Sequence, residues 1–143
     1  MSGAPDAAAA VAALYAADRA AQALGIEVQE VALGRVVLTL TVRADMLNGH
    51  GTCHGGILFA LADTAFAFAC NSYGEPMVAA GASIEYLAPI RLGERLCADA
   101  QEVSRGARHG LYDVAIRTEA GASCAFFRGR CARLRVPPKS SET

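Results

Sequence analysis

From Ile57 to Cys70 the chain reads ILFALADTAFAFAC, an apolar run interrupted by a single charge, Asp63. The run is too short and too rich in alanine to cross a bilayer, which takes ~20 apolar residues. A helix built from it has no polar face, so it must be covered on nearly every side. One sheet covers one side, and something else must cover the rest. Composition points the same way. Of the 143 residues, 53% are hydrophobic and only 19% charged, below the roughly 25% usual in globular domains. That length suits one domain with a full core, and the surplus apolar surface predicts self-association.

The flanking sequence supplies the sheet. IEVQEVAL and RVVLTLTV flank Gly34, which predicts a hairpin. MVAAGASIEYL, RLCADAQEVS, LYDVAIRTEA and SCAFFRGRCARL read as four further strands. Turn signals separate them at Pro89 to Gly93, Arg105 to Gly110 and Ala120-Gly121. Short connections between consecutive strands imply a largely antiparallel sheet. The central helix is expected from about Gly55 to Asn71, closed by Tyr73-Gly74 and Pro76. The first 25 residues predict one alanine-rich helix, with Asp6 as N-cap and Gly25 as its stop. They lack a basic start, and Asp6, Asp18 and Arg19 interrupt them, which is unlike a signal peptide. The expected organisation is a packed N-terminal helix over 1–25, an α+β domain over 26–136, and a disordered tail, PPKSSET, over 137–143. In that domain a curled antiparallel sheet wraps one long central helix.

Net charge is −1, so no nucleic acid or acidic membrane face is expected as a partner. Five cysteines without a C-x-x-C pair, odd in number, argue against a disulfide framework and predict a reducing, cytoplasmic setting. Ahead of the helix lies NGHGTCHGG, with His50, Cys53 and His54 close together. Adjacent Cys53 and His54 diverge, and the only other histidine, His109, sits in a distant turn. The paired spacings of structural zinc sites are missing, so no metal is expected.

The same loop opens the helix with Gly55-Gly56. The first N–H groups of a helix have no internal partner and carry the positive end of its dipole. They suit a carbonyl oxygen developing negative charge. Asp63, about two turns on, is a candidate general base or nucleophile whose pKa desolvation would raise. Its structural alternative is a carboxylate satisfied by a neighbour. Eight positions separate Gly55 from Asp63, ~12 Å along one helix, too far to act on one reacting atom. Two copies of the helix packed antiparallel across a two-fold axis would bring Gly55 of one near Asp63 of the other.

NGHGTCHGGILFALADTAFAFACNSYG, followed by AAGASIEYLAPIRLGE, resembles the PaaI-type acyl-CoA thioesterases of the hotdog-fold superfamily. The resemblance extends from about Ile26 to Leu134. It implies a hotdog fold, a sheet curled around a long helix, and dimers often paired into tetramers with sites at the subunit interface. It also implies that Asp63 is the catalytic carboxylate and that the Gly55 N–H polarises a thioester carbonyl. Asn48 and His54 would help to hold water, carbonyl or helix start. The implied substrate is phenylacetyl-CoA or a hydroxylated relative, with coenzyme A as part of the substrate and no separate cofactor. Arg105 and Arg108, in SRGARHG, are candidates for the CoA phosphates. Phe59, Phe66, Phe68, Tyr73 and Tyr86 are candidates for an aromatic acyl slot or for plain core. Cys53, a rival nucleophile by type, has no essential role in the resemblance. Two other readings stand beside the thioesterase: a non-catalytic acyl-CoA-binding oligomer, and a metal protein using His50, Cys53 and His54.

Overall fold

The computed structural model describes residues 4–135; the expected tail and the last residue of the expected domain lie outside them. Six strands form one sheet: β1 (Glu27–Ala32), β2 (Arg35–Thr41), β3 (Met77–Tyr86), β4 (Arg95–Arg105), β5 (His109–Thr118) and β6 (Ser123–Arg133). Their spatial order is β1-β2-β4-β5-β6-β3, and every neighbouring pair is antiparallel. One long helix, α3 (Gly55–Cys70), lies against the concave face, after the short helices α1 (Ala7–Ala17) and α2 (Arg19–Ala23). The expected α+β architecture with its curled sheet, central helix and N-terminal helical segment is the one observed.

Alternation along the strands decides which face is concave. Val36, Leu38 and Leu40, then Leu96, Ala98 and Ala100, then Tyr112, Val114 and Ile116 are all buried. Registry stacks them, with Leu38 opposite Ala98 and Ala98 opposite Ile116. From the helix, Leu58, Leu61, Ala62, Ala65, Phe66 and Ala69 complete the same core. Phe66 is its bulkiest wedge, tilted against Tyr112 at 5.9 Å and Phe127 at 5.7 Å. It fits because β6 has no side chain at Gly129, where a Cβ would lie 2.8 Å from the Phe66 ring.

The N-terminal segment departs from the expected single helix. It breaks at Asp18, whose carboxylate accepts from the Ala21 N–H at 2.9 Å and so caps α2. Aspartate competes with the helix for backbone donors, and here the cap wins over continuation. The expected ends hold: Asp6 accepts from the Ala9 N–H at 3.0 Å, and Gly25 takes a left-handed φ of 72°. Tyr15 pins the segment, donating to the Ile26 carbonyl at 2.7 Å and meeting the Phe68 ring edge-on. At the far end of α3, Asn71 stands just outside the helix as its C-cap. Its amide donates to the carbonyls of Ala67 and Met77, and its oxygen accepts from the Met77 N–H, which ties the helix end to the start of β3.

Two surfaces are left uncovered by one chain. The helix keeps a half-buried or exposed stripe at helical spacing: Gly56, Ala60, Asp63, Thr64, Ala67 and Asn71. Strand β3 forms one edge of the sheet, and its small residues from Ala79 to Ser83 are exposed. Among the described residues no helix is long and apolar enough to cross a membrane.

Gly129→Ala is expected to destabilise the fold by about 1–3 kcal/mol, the usual cost of overpacking a filled core. Urea unfolding measures it. The loss should shrink in a Phe66→Leu background; an equal loss in both backgrounds would rule out the clash with Phe66 as its cause.

Candidate active site

The loop before α3 is tied by one side chain. Asn48 Oδ1 accepts from the His50 N–H at 2.9 Å, the Thr52 N–H at 3.2 Å and the Thr52 hydroxyl at 3.3 Å. Gly51 turns the backbone with a φ of 77°. The strand-like exit is held by two further bonds, Cys53 N–H to the Ile90 carbonyl and His54 N–H to the Met46 carbonyl, both 2.8 Å. These bonds deliver His54 as the N-cap of α3, its Nδ1 accepting from the Gly56 N–H at 2.9 Å. A lone pair used there places the neutral ring's proton on Nε2, on an exposed ring. Histidine thus does the work of the usual Ser, Thr, Asp or Asn cap.

The Gly55 N–H, one position into the helix, has no acceptor among the described residues. It borders an open cavity of about 360 Å³ lined by Asn48, Thr52, Gly55, Leu58, Tyr86 and Ile90, among others. Of the five aromatic candidates only Tyr86 lines this cavity. Phe59, Phe66 and Phe68 pack ring against ring in the interior, and the Tyr73 hydroxyl donates to Glu102 at 2.7 Å.

Asp63 does not reach the cavity of its own chain. It lies half-buried on the uncovered stripe of α3, with no hydrogen bond or ion pair among the described residues. Burial raises its pKa above the ordinary aspartate value, and the negative charge of Asp18 raises it further. The alternative of a carboxylate satisfied by a neighbour finds no partner among those residues. Asp18 was legible in the sequence only as a charge out of keeping with a signal peptide, because its effect on Asp63 is through space. Cys53 is buried, and burial pushes its thiol up to about 11, so it stays protonated at neutral pH and is a poor nucleophile. Its buried side chain diverges from the exposed His50 and His54. Among the described residues no three His, Cys, Asp or Glu side chains are grouped to hold a metal.

The two candidate phosphate-binding arginines separate. Arg105 is committed to Glu75 at 2.6 Å and stacks on the Tyr73 ring at 3.6 Å. Glu75 also pairs with Arg133. Arg108 makes no ion pair among the described residues and lines a second cavity with His109, Arg133 and Arg135. Registry places this basic cavity at the Met77 end of β3, whereas Tyr86 and the Gly55 cavity lie at the other. The grouping of Arg108 with Arg133 and Arg135 joins residues far apart in sequence, and spacing alone gave no sign of it.

With this geometry in view, the comparisons with known proteins are consistent. The thioesterase superfamily model matches residues 50–125. The acyl-coenzyme A thioesterase PaaI of Escherichia coli K12 is 47% identical over 122 residues, covering 85% of this chain and 87% of that protein. A solved structure of E. coli PaaI, from the phenylacetic acid degradation operon, superposes with a TM-score of 0.89 at 45% identity, covering 90% of this chain and 94% of that one. A hypothetical thioesterase protein from Streptococcus pneumoniae TIGR4, solved with coenzyme A, superposes with a TM-score of 0.74 at 28% identity, covering 76% of this chain and 85% of that one.

Carbon-detected NMR titration is expected to find Asp63 holding its proton to a higher pH than an ordinary aspartate. Asp18→Asn keeps the cap and removes the repelling charge, so the Asp63 midpoint should move down. An unchanged midpoint would show that the charge of Asp18 does not reach it.

Proposed function

The chain belongs to the thioesterase superfamily, and we propose that the thioester it hydrolyses is an arylacetyl-CoA, phenylacetyl-CoA or a hydroxylated relative. It is a thioester hydrolase acting on acyl-CoA. The observation that carries the reading is the Gly55 N–H, without an acceptor among the described residues, at the positive end of α3 in a residue that lines a cavity. The arylacetyl preference is supported by the high identity to E. coli PaaI and by the aromatic wall that Tyr86 gives the cavity.

Each residue has a task that its position supports. The thioester carbonyl oxygen accepts from the Gly55 N–H, and the helix dipole stabilises the charge that grows on it. Asp63, with a carboxylate made more basic by burial, takes a proton from water or attacks the carbonyl carbon itself. The thiolate departs without strong acid assistance, because an ordinary thiol has a pKa of about 8.5. Asn48 keeps the loop closed, and His54 caps the helix while directing an Nε2–H outward beside the donor.

One chain does not complete this site, since Gly55 and Asp63 occupy the same helix at different heights. A second copy supplies the missing half. Pairing of β3 with its counterpart would cover the open sheet edge, which otherwise invites uncontrolled association. It would also set the uncovered stripes of two α3 helices antiparallel, Gly55 of one beside Asp63 of the other. The same arrangement carries the basic cavity of one copy to the Gly55 end of the next. There Arg108, with Arg135, would hold the phosphates of CoA, while Arg105 and Arg133 remain fastened to Glu75. Free thiols at all five cysteines suit a reducing cytoplasm.

Release of CoA from phenylacetyl-CoA, followed by chromatography, tests the reading. Asp63→Asn is expected to lower kcat by about 10²–10⁴, the usual worth of a positioned base, with oligomer size and melting temperature unchanged. Absence of turnover on a panel of aryl and alkyl acyl-CoAs, with binding retained, would favour the non-catalytic acyl-CoA binder instead. Arg108→Gln is expected to raise KM about tenfold for the acyl-CoA, equivalent to ~1.4 kcal/mol, and to leave the corresponding acyl-pantetheine unaffected. Equal effects on both substrates would remove Arg108 from the phosphate site.

A further inference from the structure

Glycine at position 55 has no local explanation. Its φ is not positive, unlike that of Gly51 just before it, and the first turn of a helix accepts most residues. What crowds a side chain there is Tyr86, the last residue of β3. A Cβ at position 55 would lie 3.0 Å from Cζ of the Tyr86 ring, 3.1 Å from its hydroxyl and 3.3 Å from Cε1. The hydroxyl also donates to the Gly55 carbonyl at 3.0 Å. So the ring stands tightly against the place a side chain would take, and the hydroxyl holds the peptide that follows the free N–H. Tyr86 is 54% exposed and lines the cavity onto which Gly55 opens; it is not a core side chain that happens to be nearby.

We propose that Tyr86 is a positioning residue for the Gly55 N–H donor, its ring and hydroxyl fixing the first turn of α3 against the end of β3. This rests on the thioesterase reading above. Oxyanion donors act by being in place before charge develops, and displacement of a reacting group by about 1 Å costs on the order of 10²-fold in rate. His54 secures the Gly56 N–H and thus one side of the turn; Tyr86 secures the carbonyl side. Because β3 is the open edge of the sheet, Tyr86 also makes the donor sensitive to what pairs with that edge.

The test combines Tyr86→Ala, Tyr86→Phe and Gly55→Ala in the full chain. Tyr86→Ala is expected to lower kcat about tenfold to a hundredfold with KM within about twofold, because the donor acts mainly in the transition state. Hydrogen exchange of the segment 54–60, read by mass spectrometry without substrate, should rise about tenfold or more. Gly55→Ala should cost a similar loss of kcat in the wild type and almost nothing more in the Tyr86→Ala background, since the clash is already gone. Tyr86→Phe keeps the ring and should keep the full penalty for Gly55→Ala; this pair decides the matter if Tyr86→Ala does not fold. An equal cost of Gly55→Ala with and without the ring would overturn the proposal, as would wild-type exchange over 54–60 in Tyr86→Ala. If the wild type hydrolyses no acyl-CoA, the functional reading fails, and the exchange experiment still decides the role of Tyr86.

Discussion

A helix with almost no polar side chains must be hidden, and one sheet hides only the part of its circumference that it touches. The sheet takes Leu58, Leu61, Ala62, Ala65, Phe66 and Ala69 of α3 and leaves a stripe from Gly56 to Asn71 partly open. That remaining strip is made of small residues plus one carboxylate. Small residues let another helix approach closely, and the carboxylate has found no partner among the described residues of its own chain. The raised pKa of Asp63 follows from its half-burial on that strip and from the nearby charge of Asp18.

The start of α3 shows how polar groups can be satisfied selectively. Of the orphan donors in the first turn, the Gly56 N–H goes to His54 and the Gly55 N–H is left for something outside the described chain. The neighbouring loop is saturated by comparison, since Asn48 accepts three bonds from it. A loop that has met its own needs does not rearrange to fill the vacant donor, which keeps its direction. In the proposed mechanism the preorganisation of this donor comes from rigid surroundings, not from a charged residue at the site.

Much of the fold was legible because its signals are local. Strand alternation, the turn glycines and the apolar run each declare an element within a few residues, and the six strands and α3 fall where those signals put them. Gly55 and Asp63 were legible as candidates for the same reason, being compressed into one stretch of sequence, and Asn48 and His54 became candidates through what that stretch resembles. What escaped was either a contest between two local preferences or a contact between residues far apart in sequence. The break at Asp18 depends on a capping bond winning over a helix that alanine favours. The loss of Arg105 as a free cation depends on Glu75, thirty positions away. The contact of Tyr86 with Gly55 spans thirty-one positions, and nothing in the spacing of either residue announces it.

The two ends of α3 have opposite characters, and this polarity bears on the proposed pairing of two chains. At the Gly55 end lie an open hydrogen-bond donor, an aromatic ring and a cavity of mixed lining. At the Asn71 end lie the arginines, partly neutralised by Glu75. A sixteen-residue helix separates them by ~24 Å, so a single copy would stretch the acyl and phosphate portions of one ligand along the whole core. In the proposed dimer an antiparallel second copy would fold that length back on itself, with the cations of one chain beside the donor of the other. It would also bring the Asp63 of one chain towards the Gly55 N–H of its partner. Such a two-fold arrangement would answer three separate demands at once: cover for the apolar stripe, a partner for the edge strand and, in the proposed mechanism, a base within reach of the carbonyl.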